Sequence, residues 1–303
     1  MDPAMAHVVT QPTAPFLSRD ATLEIHQVPS WQDNLIWLAV CTRTGEAAAI
    51  DGPEAESALA YCDARGLRLT TILNTHTHGD HVGINRDLER RGLLREMRVV
   101  GSASVASDVP GITEAVREGD SVRFGGATGL VMLTEGHLDG HISYVFEDVL
   151  FCGDTLFGGG CGYLFDGPPS KMHASLHRLA ELPEETWVCC AHEYTQDNLR
   201  FAWSIEPENP WLAARIESVW TARARGESTV PSTIGEERRT NPFMRSDSRE
   251  LQGYVAQAMP GVSLSTGTEV FAATRALKDR KDYKQMDEAA LPLPPDTGRG
   301  SCP

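Results

Sequence analysis

The sequence predicts an α/β fold in which paired β-sheets flanked by helices are followed by a small all-α domain. Three observations lead to this prediction. Strand-like runs follow one another up to about Tyr194, with few helical segments between them. Four of these runs end in residues that commonly bind metals. Beyond Tyr194 the apolar residues take a helical spacing instead.

Composition excludes several classes of function. The formal net charge of −15 argues against nucleic acid as a partner, because nucleic-acid binders carry basic patches. No apolar run is long enough to span a membrane, and the first residues lack the basic start and apolar core of a secretory signal. The seven cysteines form no Cys-x-x-Cys pair. We therefore expect reduced thiols, a cytoplasmic protein and no obligate protein partner.

The chain is expected to divide into four parts. The start is rich in Ala, Pro, Thr and Gln and the end is rich in Pro and Gly, so neither is expected to fold. We expect a flexible leader, a metal-binding domain, a helical domain and a disordered tail at residues 1–20, 21–194, 195–290 and 291–303.

Apolar and β-branched runs predict the strands of the metal-binding domain. They lie at residues 23–28, 34–41, 47–50, 69–73, 99–100, 120–124, 130–134, 148–153 and 186–191. Helical spacing, with Gly66 as a stop signal for the first segment, predicts helices over residues 54–65, 85–95 and 170–180.

The stretch from Thr75 to His81 directly follows one of these strands and is dense in ligand-type residues. His76 and His78 are two apart, so an extended backbone places them on the same side. Asp80 and His81 come after a glycine, where a turn can direct them to a second point. Such a group is difficult to bury without partners for each imidazole and carboxylate. The pattern indicates two metals side by side.

Single candidate ligands follow three other strands. They are His137, Asp154 and His192, after the runs at 130–134, 148–153 and 186–191. If these strand ends meet at one edge, they assemble one site. Seven nitrogen and oxygen ligands suit two divalent ions when one carboxylate bridges and water completes each shell. Zinc, iron and manganese all accept this ligand set.

Other histidines are expected to have no part in the site. His141 is predicted to make a structural hydrogen bond, and His173 and His177 to lie on a helix without the glutamate of a helical zinc motif. His7 and His26 are expected at the surface. Asp51 ends another strand and is interpreted equally well as an orienting partner of a ligand histidine or as a turn residue.

The helical domain carries start signals at three places. Asn209 before Pro210 is a capping pair. Asp247 with Glu250, and Thr266 with Glu269, have the spacing of capping boxes.

Several stretches resemble glyoxalase II, the hydroxyacylglutathione hydrolase family of the metallo-β-lactamase superfamily. The pattern Thr-His-Thr-His-Gly-Asp-His is the superfamily signature, and the resemblance extends over roughly residues 23 to 284. Four further stretches are similar to that family, at residues 153–162, 191–199, 206–210 and 241–245. The last two lie in the helical domain and identify the family within the superfamily.

The resemblance implies an αββα metallo-β-lactamase sandwich with a binuclear site at one edge. It implies that His76, His78 and His137 hold the first metal. It further implies that Asp80, His81 and His192 hold the second and that Asp154 bridges. Glutathione contacts are implied for Tyr194, for the loop after Cys161 with Tyr163 and Phe165, and for the basic end of the last helix, here Lys278 and Lys281.

The chain departs from the family pattern near the site. Tyr163 stands where the family usually has Lys or Arg, and Phe165 where a tyrosine is often found. Glu135 replaces a proline ahead of His137 and adds negative charge. A tyrosine carries no charge, so a contact to a substrate carboxylate is expected to weaken.

The reaction expected from the resemblance is hydrolysis of S-D-lactoylglutathione to D-lactate and glutathione, the second step of methylglyoxal detoxification. Asp80 and Asp154 are the candidate catalytic residues beside the metals. Three alternatives come from other classes. They are a broader thioesterase or lactonase, a one-iron persulfide dioxygenase of the same superfamily, and a non-catalytic binding protein with a structural metal.

Overall fold

Two β-sheets lie face to face in this protein, and helices cover their outer faces. The computed structural model describes residues 7–294. The strands are β1 Phe16–Leu17, β2 Leu23–Ser30, β3 Asn34–Cys41, β4 Glu46–Ile50, β5 Arg68–Leu73, β6 Arg98–Ser102, β7 Glu114–Val116, β8 Ser121–Phe124, β9 Ala127–Leu133, β10 Ile142–Phe146, β11 Val149–Gly153, β12 Leu156–Phe157, β13 Gly160–Cys161, β14 Trp187–Cys190 and β15 Ser232–Thr233. The helices are α1 Glu56–Arg65, α2 Gly83–Arg90, α3 Pro169–Ala180, α4 Thr195–Ile205, α5 Pro210–Ala224, α6 Ile234–Thr240, α7 Arg249–Ala258 and α8 Gly267–Arg280.

Strand direction brings the chain segments that follow several strands to one edge. The first sheet has the order β1 to β7, and its strands β4, β5, β6 and β7 run parallel. The second sheet has the order β15-β14-β11-β10-β9-β8. In it β11 is parallel to β14, and β9 has the same direction because both β9 and β11 are antiparallel to β10. The carboxyl ends of β9, β11 and β14 therefore lie at one edge of this sheet.

Alternating side chains of β3 show how the layers pack. Leu35, Trp37 and Ala39 lie in the core shared with the second sheet. Ile36, Leu38 and Val40 lie in a separate core beneath α1 and α2. This alternation is the period-two pattern of a strand buried on both faces. The indole Nε1 of Trp37 donates to the carbonyl oxygen of Cys190 at 2.8 Å and ties β3 to β14.

The predicted αββα sandwich with a helical C-terminal region is confirmed. The helical region is joined to the sandwich, because β15 pairs with β14 as the edge strand of the second sheet. The predictions missed six strands, which are β1, β7, β10, β12, β13 and β15. The helix predicted to end near Arg95 ends at Arg90.

Helix starts in the C-terminal region follow their side-chain caps. Asn209 accepts from the backbone of α5, and Thr266 with Glu269 forms the expected capping box of α8. The third predicted cap was wrong by one residue. Ser248, and not Asp247, accepts from the backbone nitrogen of Leu251 at the start of α7. Both residues can cap a helix, so the sequence alone does not separate them.

The start of the chain is held more firmly than a flexible leader. The backbone nitrogens of Thr10 and Gln11 donate to the carbonyl oxygen of Gly226, at 3.0 and 2.9 Å. The hydroxyl of Thr13 donates to Val230 at 2.6 Å, and β1 pairs with β2. The expectation of a flexible leader is therefore wrong for residues 7–20, because this segment satisfies its backbone groups on the folded domain. Residues 1–6 lie outside the described part.

The other end of the chain is also partly packed. Leu291 is buried against helices α4 and α5, and Leu293 packs beside it. The expected disordered tail therefore does not begin at residue 291, and residues 295–303 lie outside the described part. Between residues 7 and 294, none of the helices combines the length and apolarity that crossing a bilayer requires.

Candidate metal centre

The seven predicted ligands come together at the edge between the two sheets. Those of the first sheet follow β5, and those of the second follow β9, β11 and β14. Hydrogen bonds lock the two edges to each other. The nitrogen of Leu35 donates to Ala191 at 2.7 Å, and that of Glu193 donates to Asp33 at 3.1 Å. The β2–β3 turn is thereby fixed beside the segment that carries His192.

Four of the ligands form a first group. Nδ1 of His78 lies 3.1 Å from Nε2 of His76 and 3.0 Å from Nε2 of His137. Nε2 of His137 lies 3.4 Å from Oδ2 of Asp154. Donor atoms that bind one tetrahedral ion at about 2.0–2.1 Å lie about 3.3–3.4 Å apart. The spacing in this group is close to that of a metal shell.

A second group shares the same aspartate. Nε2 of His192 lies 3.4 Å from Nε2 of His81 and 3.4 Å from Oδ2 of Asp80. Oδ1 of Asp154 lies 3.4 Å from Nε2 of both histidines. The two oxygens of Asp154 thus face different groups, which is the arrangement that a bridging carboxylate requires.

A glycine allows Asp154 to enter the cluster. Gly153 has a φ of +47°, a left-handed conformation that side chains disfavour. A Cβ at this position would lie 2.3 Å from Oγ1 of Thr75 and 2.9 Å from Nε2 of His141. The chain can therefore turn here, close against the first sheet, only without a side chain.

Hydrogen bonds on the far side of the rings orient three of the histidines. Nδ1 of His81 lies 2.9 Å from Oδ2 of Asp51, and Nδ1 of His192 lies 3.0 Å from Oδ1 of Asp33. Nδ1 of His137 donates to the carbonyl oxygen of Tyr163 at 2.7 Å. Such partners fix the ring so that Nε2 points into the cluster.

Asp51 is both an orienting partner and a strained turn residue. Its φ is +55°, an uncommon conformation for a residue other than glycine. Its carboxylate also accepts from the nitrogen and the hydroxyl of Thr75, at 2.8 and 2.6 Å. Both interpretations of Asp51 made from the sequence therefore apply together.

The electrostatics of the cluster favour a positive charge at its centre. Burial by itself lowers the pKa of His81, but the carboxylates of Asp154 and Asp51 raise it well above its ordinary value. Burial by itself raises the pKa of Asp154, but His81 and His192 hold it well below its ordinary value. Burial lowers the pKa of His76, which suits a neutral ligand.

The environment of Oδ1 of Asp154 indicates whether a metal ion fits the cluster. Oδ1 of Asp154 is buried and has no hydrogen-bond partner among the described residues. A buried carboxylate oxygen without a partner is costly, and a cation held between it and the two histidines would satisfy it. The donor set therefore fits divalent metal ions.

Comparisons with known proteins agree with this chemistry. A family model of the metallo-β-lactamase superfamily matches residues 42–192. A second model, described as the hydroxyacylglutathione hydrolase C-terminus, matches residues 193–281. A hydroxyacylglutathione hydrolase of Methylococcus capsulatus is 46% identical over 259 residues, covering 85% of this chain and 98% of that protein. One from a Synechococcus species is 44% identical, covering 85% of this chain and 100% of that protein.

The chain belongs to the hydroxyacylglutathione hydrolase family. Solved structures agree on the fold. ETHE1 from Myxococcus xanthus is similar at a TM-score of 0.55 and 29% identity, covering 83% of this chain and 98% of that one. The B3 metallo-β-lactamase BLEG-1 has a TM-score of 0.53 at 23% identity, covering 73% of this chain and 99% of that one, and shows the fold alone.

For a member of the hydroxyacylglutathione hydrolase family, the implied glutathione contacts lie around the Gly158–Cys161 loop. Tyr194 stacks on His192 with ring centroids 4.9 Å apart. Lys278 is buried and donates to Oδ1 of Asn198, whose Nδ2 donates to Gly158 at 2.9 Å. Tyr163 and Phe165 follow this loop and are exposed, and the ring of Phe165 lies beside His78 and His137.

The glutathione contact expected of Lys281 stays a prediction. Lys281 follows the last residue of α8, has a left-handed φ of 60° and is exposed. The helical face that it was expected to share with Lys278 ends before it. Arg275, three residues ahead of Lys278, occupies that face and directs Nη1 to the carbonyl oxygen of Cys161 at 3.4 Å. Arg275 was not among the predicted contacts, although its spacing from Lys278 was available as a signal.

Asp33 and Asn34 were also missed as parts of the site. Asp33 accepts from His192, and Nδ2 of Asn34 donates to Oδ2 of Asp80 at 3.1 Å. Asn34 was interpreted only as the start of a strand, and Asp33 was assigned no role. The contacts come from pairing between the sheets, which no local pattern reveals.

The remaining histidines have structural contacts. Nε2 of His141 accepts from the nitrogen of Asp154 at 3.2 Å, as expected of a structural residue. His173 contacts Ser246 at 3.0 Å and stays outside the cluster. The surface expectation for His26 was wrong. It is buried, 2.9 Å from the hydroxyl of Tyr61 and 2.9 Å from Glu24.

The carboxylate of Glu135 is paired with a backbone donor and a lysine close to it in the structure. Its Oε1 accepts from the nitrogen of Gly140 at 2.8 Å, and its Oε2 lies 3.4 Å from the ammonium of Lys171. The carboxylate therefore already has partners and adds little free charge to the cluster.

Proposed function

We propose that this chain hydrolyses 2-hydroxyacylglutathione thioesters to a 2-hydroxy acid and glutathione. S-D-lactoylglutathione, which gives D-lactate in the second step of methylglyoxal detoxification, is the expected substrate. The single observation that carries the proposal is the pair of ligand groups joined by Asp154, in a chain whose residues 193–281 match the hydroxyacylglutathione hydrolase C-terminus. In the reaction the C–S bond of the thioester breaks, a C–O bond to the oxygen of water forms, and the thiol of glutathione takes one proton of that water.

The proposed cofactors are two divalent ions, zinc or else iron or manganese. His76, His78 and His137 would hold the first, and Asp80, His81 and His192 the second, with Asp154 between them. When bound, the ions supply the Lewis acidity that acidifies a water molecule and polarises a thioester carbonyl.

Residues of the chain itself would orient the metal ligands and bind the substrate. Asn34 holds Asp80 by a hydrogen bond of 3.1 Å, so that the carboxylate faces the cluster and can accept a proton from the attacking water. Tyr194 offers a ring face beside His192. Behind the Gly158–Cys161 loop, Arg275 is paired with Asp279 at 2.6 Å, and Lys278 is the cation that we assign to a carboxylate of glutathione.

The test is steady-state hydrolysis on protein whose metal content has been counted. S-D-lactoylglutathione is compared with a coenzyme A thioester and a simple lactone. A strong preference for the glutathione thioester, with about two metals per chain, is the expected result for this ligand set. One metal per chain with no hydrolysis would favour the dioxygenase alternative instead.

A broader thioesterase or lactonase is the second candidate, and a specific observation favours it. Tyr163 and Phe165 present no charge to a substrate carboxylate at the mouth of the site. Equal turnover of all three substrates would support this candidate. A binding protein with a structural metal would turn over none of them.

The bridging role of Asp154 has its own test. Replacement by asparagine, Asp154→Asn, removes the charge and one of the two acceptor oxygens. We expect loss of at least one metal per chain and loss of most activity. An Asp154→Asn protein that keeps both metals and full activity would overturn the bridging role.

A cytoplasmic location and a small-molecule substrate without a protein partner remain part of this proposal. The six cysteines within residues 7–294 are unpaired and buried, which agrees with a reducing compartment. Fractionation of the native host, followed by the thioester assay, would test the location.

A further inference from the structure

Residues 7–13 are fastened along one loop of the helical region, residues 226–230. The first carbonyl oxygen of that loop accepts from the backbone nitrogen of Gln11 at 2.9 Å, and the last accepts from the hydroxyl of Thr13 at 2.6 Å. In the middle of the loop, the nitrogen of Ser228 donates to the carbonyl oxygen of Gln11 at 3.0 Å. We call residues 7–13 the clasp. The clasp thus contacts the loop from one end to the other.

The same loop binds the side chain of Glu193, the residue that follows the proposed ligand His192. Glu193 is only 1% exposed. Its carboxylate accepts from the backbone nitrogen and the hydroxyl of Thr229, each at 2.7 Å, and from the hydroxyl of Ser228 at 3.2 Å. A buried carboxylate depends on such donors, because burial has removed the water that would otherwise solvate it. The loop therefore fixes the position of this side chain.

Hydrogen bonds also hold the backbone of Glu193. Its carbonyl oxygen accepts from Nδ1 of His7, a residue of the clasp, at 2.9 Å. Its nitrogen donates to the carbonyl oxygen of Asp33 at 3.1 Å, and the carboxylate of Asp33 lies 3.0 Å from Nδ1 of His192. Glu193 is thus held at its nitrogen, its carbonyl oxygen and its carboxylate. Because Glu193 shares a peptide bond with His192, these contacts also fix the backbone of that ligand.

This arrangement acts on the second ligand group more directly than on the first. Nε2 of His192 lies 3.4 Å from Nε2 of His81 and 3.4 Å from Oδ2 of Asp80. The histidines of the first group follow β5 and β9 instead. A ligand has to be held within about 0.5 Å of its productive position. Displacement of Glu193 is therefore expected to disturb the ion of the second group more than the other ion.

We propose, resting on the function proposed above, that Glu193 is a positioning residue for the ion of the second group. The clasp and the 226–230 loop hold Glu193 in place, and Glu193 holds His192. The clasp lies ahead of the residues that both family models match, so membership of the family gives it no role. Partners outside the ligand shell typically contribute about ten- to a hundredfold to metal affinity. Because Glu193 acts through a neighbouring ligand, we expect an effect at the lower end of this range.

The test is a chelator titration of the zinc-loaded full chain, in which the ions that remain bound are counted at each chelator concentration. Thr229→Val removes one donor to Glu193 at almost unchanged volume. We expect this variant to pass through a state with one ion per chain, because its second-group ion is bound about tenfold more weakly than in the native protein. A His192→Ala protein, which lacks a ligand of the second group, identifies the ion that is lost first.

Two further variants separate positioning from packing. Thr229→Ser keeps the hydroxyl and loses only a methyl group, so it should retain both ions as the native protein does. Thr13→Val removes the hydrogen bond between the clasp and the end of the loop, which lies one contact further from Glu193. It should weaken binding of the same ion, but by less than Thr229→Val does.

A matched control is available in Thr221 of α5. Its side chain is exposed, and its hydroxyl donates to the carbonyl oxygen of Glu217 at 2.8 Å. Thr221→Val removes the same group in the same region of the chain and should leave the retention of both ions unchanged. Urea denaturation of each metal-loaded variant would verify that it is folded.

The outcomes separate the two proposals. Native retention of both ions in Thr229→Val, or equal weakening of both ions, would overturn the positioning role, because a general loss of stability does not select one ion. A native protein that binds two ions but hydrolyses none of the thioesters would overturn the proposed function. The selective loss of one ion in Thr229→Val would then still support the role of Glu193.

Discussion

The ring of His7 meets the ring of Tyr194 edge to face, with centroids 5.4 Å apart and planes at 86°. Nδ1 of His7 also donates to the carbonyl oxygen of Glu193 at 2.9 Å. Tyr194 in turn stacks parallel to His192, with an interplanar angle of 1°. A residue from the start of the chain thus supports a proposed metal ligand and a proposed glutathione contact at once.

Replacing His7 with alanine should therefore weaken substrate binding. An edge-to-face contact stabilises by about 0.5–1.5 kcal/mol, so we expect His7→Ala to raise KM for S-D-lactoylglutathione about two- to tenfold. The kcat value should change little, because His7 touches none of the proposed ligands directly. Steady-state kinetics on metal-counted protein measures both.

Two further variants show which contact of His7 matters. His7→Phe keeps the ring against Tyr194 but loses the hydrogen bond to Glu193, and His7→Gln keeps a donor but loses the ring. We expect His7→Phe to stay closer to the native KM. A native KM in His7→Ala would show that the contact has no role in binding.

Asp51 offers a test of the orienting hydrogen bonds. It accepts from His81 and from both donors of Thr75, so Asp51→Asn turns one acceptor into a donor that opposes this arrangement. Loss of such a partner typically costs about ten- to a hundredfold in metal affinity or activity. We expect preferential loss of one metal, read out by metal analysis after dialysis against a weak chelator.

The control for Asp51 is an aspartate without such a role. Asp63 is exposed on α1, so Asp63→Asn removes the same charge from the chain at a distance from the cluster. It should keep native metal content. Equal metal retention by Asp51→Asn and Asp63→Asn would contradict an orienting role for Asp51.

Much of the fold and the ligand set could be predicted, because strand-like runs and the ligand-type residues beside them are local features of the sequence. The run Asn34–Cys41 is strand-like in sequence and is β3 in the structure. The cluster around His76 follows β5 directly, and His137, Asp154 and His192 each follow a strand. A strand end and a ligand-type residue beside it can both be recognised without knowing the fold.

The remaining parts depend on contacts between distant segments. Asp33 meets His192 across 159 positions of sequence, and His7 meets Glu193 across 186. The short strand β15 exists because it pairs with β14, and residues 7–20 are ordered because they have partners in the folded domain. Arg275 and Lys281 both lie three residues from Lys278, so spacing alone does not choose between them. The structure places Arg275 within α8 and Lys281 directly after its last residue.

A buried ion pair in the helical region predicts a large effect on stability. Glu237 is fully buried and accepts from Nη2 of Arg215 at 2.6 Å, from Gly159 at 2.8 Å and from Asn241 at 3.0 Å. Glu237→Gln leaves the buried guanidinium of Arg215 with the uncharged hydroxyl of Thr240 and, as its nearest carboxylate, Glu236 at 3.4 Å. Breaking a buried pair in this way costs about 3–5 kcal/mol. We expect this loss in the free energy of unfolding from urea denaturation.

The matching control is an ion pair at the surface. Glu184 lies 3.2 Å from Arg238, and both side chains are largely exposed. Glu184→Gln should cost less than about 1 kcal/mol, because exposed pairs are screened by water. A loss of similar size in both variants would argue against the proposed importance of burial.

Lys278 predicts a pH dependence of substrate binding. Burial, with Arg275 nearby, lowers the pKa of Lys278 from 10.5 to about 7. Below that pH the side chain carries a positive charge that attracts a glutathione carboxylate, and above it the charge is lost. KM for the glutathione thioester should therefore rise as pH increases through about 7. The measurement is KM as a function of pH, on both sides of that value.

Two substitutions assign this dependence to Lys278. Lys278→Arg keeps a charge at every pH of the assay, because a guanidinium does not lose its proton in this range, so its KM should rise less with pH. Lys278→Met has no charge, so its KM should be high throughout and should lack the rise near neutral pH. A native-like rise of KM in the Lys278→Met protein would assign the titration to another group, because this variant has no ammonium to deprotonate.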